Sequence, residues 1–365
     1  VLFRSEQDDV GRRIAQINAS MRAYLDSGLF YVLNDSYVYV ERTVAPGRVR
    51  RGLVGKIDLE QYDYSADSRS LVRPTEGTVE SRLPPRMRVR EQAPLESPHI
   101  MVLIDDALHT VIEPLQKQKN AMEPLYDFDL MADGGHIAGW RVAGDLCAQV
   151  DAAMLFLLSG QQCCRGVCRE CAPPMLIAVG DGNHSLATAK ACWEKIKPAL
   201  SERERRVHPA RYALAELVNL HDGALAFEPI HRVLFDVDPN SVLDALQKQL
   251  GACADGQGQV FTYAAGGRTG RLVVANPPSP LAAGTLQGFI DGYLAAHGGT
   301  VDYIHGDDVV MELSKKPGAI GFLLPAMEKS QLFPAVREGG ALPRKTFSMG
   351  HAYEKRFYLE CRKIQ

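Results

Sequence analysis

The stretch MLIAVGDGNHSLATAKACWEKI, from Met175 to Ile196, changes its periodicity halfway along. Met175 to Val179 is a continuous apolar run of the length of a buried strand. Gly180, Asp181, Gly182, Asn183, His184 and Ser185 then mix turn formers with polar side chains. From Leu186 onward, Leu186, Ala189, Trp193 and Ile196 fall on one face of a helix, with Asn183 or Asp181 placed to cap it. A strand, a tight loop and a helix follow directly on one another, so the chain must mix sheet and helix. Such a junction aims backbone N–H groups and the positive end of the helix dipole into the loop, which suits an anion. The two glycines let a backbone approach closely. His184 can carry a proton or donate as a neutral ring, and Asp181 can bind a metal or accept a proton. The same residues also make a plain connector between strand and helix, and the loop is neither a Walker A loop nor a dinucleotide fingerprint.

A chain of 365 residues can bury a sizeable core and most naturally forms two domains. A formal net charge of −3 gives no electrostatic footprint for nucleic acid. No apolar run is long enough to span a bilayer and no secretory pattern opens the chain, so a cytoplasmic location is the default expectation. Four of the eight cysteines, Cys163, Cys164, Cys168 and Cys171, cluster just before the organising strand. Thiolates at that spacing can converge on zinc or an iron–sulfur cluster. No second pair at that spacing follows, and reduced thiols are the ordinary state in a cytosol. We therefore expect no metal there.

Taken in order, Glu6 to Ser27 has a helical apolar stripe ended by Gly28. Phe30 to Val44 and Arg51 to Leu59 read as two strands around a Pro46-Gly47 turn. Thr75 to Thr78 is a polar turn carrying Glu76. A helix-compatible run with Arg82 and Arg86 follows it, interrupted by Pro84-Pro85. A carboxylate beside several arginines suits a salt-bridge network. It equally suits phosphoryl transfer, which needs a base for the attacking hydroxyl and cations for the developing charge. His99 to Ile104 is an apolar strand ending in Asp105-Asp106, a pair that suits magnesium, a solvated turn or a helix cap. Tyr126 to Trp140 reads as loop-rich, Gly144 to Ser159 as a helix, and Arg211 to Leu220 as a strand inside a sheet. Polar residues 236–240 suggest a boundary between domains at 1–236 and 237–365. Beyond it, helices at 241–250 and 281–297 and strands near 260–264, 270–275, 301–304 and 320–324 make a small α+β layer.

Asp181 to Ser185 resembles the D-G-H-H-R motif of the domain of unknown function 1015 family, here as D-G-N-H-S. RRGLVGKIDLEQYDYS at Arg50 to Ser65, PTEGTVESRLPPRMRVRE at Pro74 to Glu91, FEPIHRVLF at Phe227 to Phe235 and GALPRKTFSMG at Gly340 to Gly350 also resemble that family, in order. The family is similar in turn to the ParB/sulfiredoxin-like superfamily, which holds nucleotide phosphates at a helix N-terminus and includes kinases of free serine. The resemblance implies a ParB/sulfiredoxin-like core, ATP or ADP with Mg²⁺ as cofactors, and a further segment ahead of Val1. Two departures stand out. Asn183 and Ser185 replace the motif's first histidine and its arginine, removing a bidentate phosphate clamp. In the family's H-E-x-T pattern, Glu76 and Thr78 match while Thr75 replaces the histidine.

The expected molecule is thus a two-domain α+β protein with a small-molecule site at the Gly180 to Ser185 loop, shared with residues of the second domain. Glu76, Asp181 and His184 are the expected catalytic groups. Gly180, Gly182, Asn183, Ser185, Arg82, Arg86, His231, Arg232, Lys345 and Ser348 are the expected nucleotide- and phosphate-binding ones. His231 and Arg232, in a segment resembling the family's T-H-R, would restore the cationic contact that Ser185 lacks; a buried structural histidine is the alternative for His231. Lys345 and Ser348 belong to a segment resembling the family's terminal K-S-T. The expected reaction is phosphoryl transfer from a nucleotide to a small hydroxyl compound, with free serine implied by the resemblance. The rival is a regulatory protein that binds a nucleotide or phosphometabolite without turnover. The sequence does not give an oligomeric state.

Overall fold

The computed structural model describes residues 10–97, 100–160, 173–350 and 358–365. The chain forms two compact units, one of Val1–Leu225, Val336–Ala341 and His351–Gln365, the other of Ala226–Ala335 and Leu342–Gly350. Both mix helix and strand, the α+β class the sequence implies.

In the first unit the elements run α1 (Val10–Asp26), β1 (Ser36–Ala45), β2 (Arg48–Asp58), β3 (Val72–Pro74), α2 (Leu83–Arg90), β4 (Leu95–Glu96) and β5 (Met101–Ile104). They continue with α3 (Glu113–Lys117), β6 (Glu123–Asp129), β7 (His136–Ala143), α4 (Asp145–Gly160), β8 (Ile177–Asp181), α5 (Asn183–Ile196), α6 (Glu202–Val207) and β9 (Tyr212–Asn219). Eight of the strands form one sheet in the order β3-β8-β5-β9-β2-β1-β7-β6. Only β3 with β8 and β5 with β9 run parallel. Alternation along β1 decides which side chains enter which core layer. Tyr39 joins Leu53, Val102, Val179 and Leu217 beneath Leu186, Ala189 and Trp193 of α5. Val38 and Val40 join Val54 and Ile137 in a second cluster, against which Leu359 packs.

Several boundaries differ from the sequence reading for identifiable reasons. The first strand starts at Ser36 rather than Phe30, after Asp35 in a left-handed conformation (φ 44°). Tyr126 to Trp140, expected to be loop, contributes the hairpin β6–β7. Gly135 at its turn has φ 79°, and an added Cβ would lie 2.0 Å from the Thr43 carbonyl oxygen, so only glycine fits. Pro84-Pro85 does not interrupt a helix. The prolines occupy the first positions of α2, where a missing N–H costs no helical bond.

The second unit contains β10 (Phe227–Pro229), β11 (His231–Phe235), α7 (Pro239–Leu250), β12 (Gln259–Ala265), β13 (Arg268–Val274), α8 (Ala282–His297), β14 (Thr300–Ile304), α9 (Asp307–Leu313), β15 (Ile320–Leu323) and β16 (Phe347–Met349). Five of these strands form an antiparallel sheet, β13-β12-β15-β11-β14. The apolar sides of α7 and α8, with Val242, Leu246, Leu286, Phe289 and Ile290, share its core with Phe261 and Phe322. No described helix is long and apolar enough to cross a membrane.

Candidate functional site

The site grows from the parallel pair β3–β8. Val72, Arg73 and Pro74 lie opposite Ile177, Ala178 and Val179, so the segment leaving β3 emerges beside the loop leaving β8. Thr75 extends the pairing by side-chain means, its Oγ1 donating to the Val179 carbonyl at 2.7 Å. Its backbone N–H donates to Asn183 Oδ1 at 3.2 Å, and Asn183 Nδ2 returns a bond to Thr75 Oγ1 at 3.4 Å. Both side chains are buried, at 0 % and 7 % exposure. Four residues on, the Val79 N–H donates to His184 Nε2 at 3.3 Å. The segment carrying Glu76 is therefore tied at both ends to the first turn of α5. Glu76, Asp181, His184 and Ser185 are all half-buried.

The start of α5 differs from the sequence reading. Neither Asp181 nor Asn183 caps it. The N-cap is Gly182, left-handed at φ 84° and ψ 21°, and it offers no side chain to the first turn. Asp181 Oδ1 instead accepts from the Gly182 N–H at 2.9 Å. Ser185 and Leu186 donate their backbone N–H groups to the Gly182 carbonyl, at 2.9 and 3.0 Å, which closes the turn. Gly180 precedes it within β8 and is half-buried. An α-helix leaves its first N–H groups without intrahelical acceptors, and here the N-cap glycine supplies no side-chain oxygen, so this end favours an anion. α5 is 14 residues long and ends its dipole at this loop.

Arg82 and Arg86 follow in the same segment as Glu76, both exposed, with Arg86 Nη1 donating to the Arg82 carbonyl at 2.9 Å. The helix that bears Arg86 packs on α5. Two further groups at this end are carboxylates, Glu76 and Asp181. Among the described residues there is no set of three or more His, Cys, Asp or Glu side chains that could hold a metal. A magnesium ion carried by nucleotide phosphates needs only one or two protein carboxylates. The cysteines at 163–171 lie outside the described residues.

The remaining expected residues lie in the second unit. His231 in β11 is buried, with Nε2 2.8 Å from Asp307 Oδ1, while its Nδ1 accepts from the Leu324 N–H at 3.1 Å. Burial pushes its pKa below the usual histidine range, outweighing Asp307. The Arg232 guanidinium is fully buried, donating to Gln287 Oε1 at 3.3 Å, to the Arg344 carbonyl at 3.0 Å and to the Ile230 carbonyl, with Tyr303 beneath it. β10 and β16 pair so that Glu228 faces Ser348. Lys345 is exposed, with φ 59°. Two separate motifs, around His231 and around Ser348, are thereby joined within one unit.

Sequence reasoning missed what holds the site together. Thr75 and the Val79 N–H are the anchors, and a turn threonine and a backbone amide leave no spacing signal. The acidic pair at Asp105-Asp106 takes its turn-forming role: Asp106 accepts from the Thr110 and Val111 N–H groups at 2.6 and 2.9 Å, and Asp105 meets His221 at 2.8 Å.

Residues 2–301 match the sequence profile of a family described as "Protein of unknown function (DUF1015)". No curated protein matches the chain. Among solved structures the chain is similar to SbnI with a C-terminal truncation from Staphylococcus aureus, at 10 % identity and TM-score 0.45, covering 85 % of this chain and 87 % of that one. It is also similar to a free serine kinase in complex with AMP, at 11 % identity and TM-score 0.44, covering 85 % and 92 %. A third is a conserved hypothetical protein from Pyrococcus furiosus, at 12 % identity and TM-score 0.40, covering 82 % and 91 %.

Proposed function

The chain belongs to the DUF1015 family, and from that premise we propose that it transfers a phosphoryl group from a nucleotide to a small hydroxyl compound. One observation carries the reading. Glu76 lies on a segment bonded through Thr75 to Asn183 and through Val79 to His184, at the glycine-capped N-terminus of α5. A proton acceptor and an anion-holding helix end therefore share one end of the sheet, the pairing that phosphoryl transfer requires.

In this reading the first-turn amides of α5 and the close backbone at Gly180 and Gly182 hold phosphate oxygens, with Ser185 beside them. Arg82 and Arg86 add positive charge. Glu76 accepts the proton as the acceptor's oxygen bonds to phosphorus and the bridging P–O bond to the nucleotide breaks, the electron pair leaving with the shorter nucleotide. His184 contacts the transferred group, and Asp181 orients the acceptor or shares in holding Mg²⁺. The ion, when bound with the nucleotide, neutralises phosphate charge. ADP or ATP with free serine is the first combination to try, given the likeness of Asp181 to Ser185 to the nucleotide-binding motif.

The test is product formation. The chain incubated with Mg²⁺, serine and either nucleotide should yield a phosphorylated amino acid detectable by mass spectrometry, and Glu76→Gln should lose most of the rate, on the order of 10²–10⁴-fold, while still binding nucleotide. Full activity in Glu76→Gln would remove it from the mechanism. A second reading, binding without turnover, is favoured by Ser185, which stands where the motif has arginine and offers no bidentate phosphate clamp. Nucleotide binding by calorimetry with no product from any hydroxyl acceptor would select it.

A further inference from the structure

Thr75 and Asn183, 108 residues apart in sequence, are bonded to each other in the folded chain. We propose that Thr75 and Asn183 are a coupled positioning pair that sets the Glu76 segment against the start of α5. The inference rests on the proposed function for the consequence in catalysis, and on geometry alone for the coupling.

Three bonds make the pair reciprocal. Thr75 N–H reaches Asn183 Oδ1 at 3.2 Å, Asn183 Nδ2 reaches Thr75 Oγ1 at 3.4 Å, and Thr75 Oγ1 gives its own proton to the Val179 carbonyl at 2.7 Å. A hydroxyl is needed at position 75 because one oxygen both donates and accepts. Asparagine is needed because one short side chain both accepts and donates. With Thr75 fully buried and Asn183 nearly so, losing either side chain strands a buried donor or acceptor of the other. An uncharged pair also puts no titrating group at either position, so the field at Glu76 from these two residues is the same at every working pH.

A double-mutant cycle on the full chain tests this. Thr75→Val and Asn183→Ala should each lower the melting temperature by about 2–4 °C, the shift for losing roughly one net hydrogen bond in a unit of this size. Thr75→Val keeps its backbone N–H bond to Asn183, so the double variant should fall short of the summed singles by about the one side-chain bond the two share, Asn183 Nδ2 to Thr75 Oγ1. Thr75→Ser, which keeps the hydroxyl, should melt near the parent. Additive single shifts would overturn the pair whether or not the protein turns over. In turnover, Thr75→Val should lose about ten- to hundredfold in kcat with KM for nucleotide changed less than about twofold, since a misplaced base costs rate rather than affinity, and Thr75→Ser should restore it. An unchanged kcat in Thr75→Val would remove the positioning role. Absence of product from the parent chain would instead count against the phosphotransfer reading, leaving the melting cycle to decide the pair.

Discussion

The backbone N–H of Val79 donates to Nε2 of His184, 105 residues further along the chain, at 3.3 Å. An imidazole nitrogen accepts only when it carries no proton, so this contact fixes the tautomer with the proton on Nδ1. The ring is thereby both an anchor for the segment bearing Glu76 and a donor at its other nitrogen.

His184→Ala should accordingly do two things. It strands a half-buried amide, which costs about 1–3 kcal/mol, and it frees the far end of the Glu76 segment. His184→Gln, whose carbonyl can accept from Val79, should recover most of the melting temperature. If the two variants melt alike, the Val79 bond contributes nothing to stability.

Gly182 sits at φ 84° as the N-cap of α5. Valine in the left-handed region is strained by about 1–3 kcal/mol, so Gly182→Val should destabilise the fold as well as weaken anion binding. Gly182→Asn, a residue that tolerates this conformation, separates the two effects. Its melting temperature should stay close to the parent's, and a fall equal to that of the valine variant would mean the conformation is not what requires glycine.

Where side-chain period and punctuation agree, the fold is legible in the sequence. Pro46-Gly47 marks the β1–β2 hairpin, and the apolar stripes of α7 and α8 mark the second unit's helices. β6 escaped because its residues are mostly exposed and only Leu125 and Tyr126 pack against the second core cluster, too few to show a period; backbone pairing with β7 holds the rest. The loop at Asp181 to Ser185 could be located by its composition, but its cap could not. Asp181, Gly182 and Asn183 are all capping residues, and only the chain's path decides which one turns left-handed. The bond between Thr75 and Asn183 is non-local, and no local pattern encodes it.

His231 is held neutral by burial, its pKa lowered despite Asp307. The unfolded chain takes up a proton near pH 6.5, whereas the folded one resists until lower pH. The neutral ring's contribution is therefore fully present above about 6.5 and lost as pH falls from there toward the folded value. Thermal melts between pH 7.5 and 5 should show this decline. His231→Asn keeps an acceptor for the Leu324 N–H and does not titrate, so its decline should be shallower; an equal slope would place the proton uptake elsewhere.

Glu360 presents the opposite sign. Burial raises its pKa above the usual carboxylate range, and nearby Glu216 pushes the same way, while the Tyr126 hydroxyl, which donates to Glu360 Oε1, pulls the other way. A carboxyl whose folded pKa is raised contributes stability that is fully present below the unfolded value and lost as pH rises through the folded one. Above the unfolded value the carboxyl therefore costs the fold stability. Glu360→Gln keeps an oxygen for Tyr126 and removes that charge beside Glu216, so the variant should melt higher than the parent at pH 7. The gain should shrink as pH falls toward 4, where the parent's carboxyl is itself protonated. A variant that melts lower at pH 7 would show that the ionised form is paired well enough to offset its desolvation, and the link between the C-terminal residues and β6 would then be an ionic contact in place of a neutral hydrogen bond.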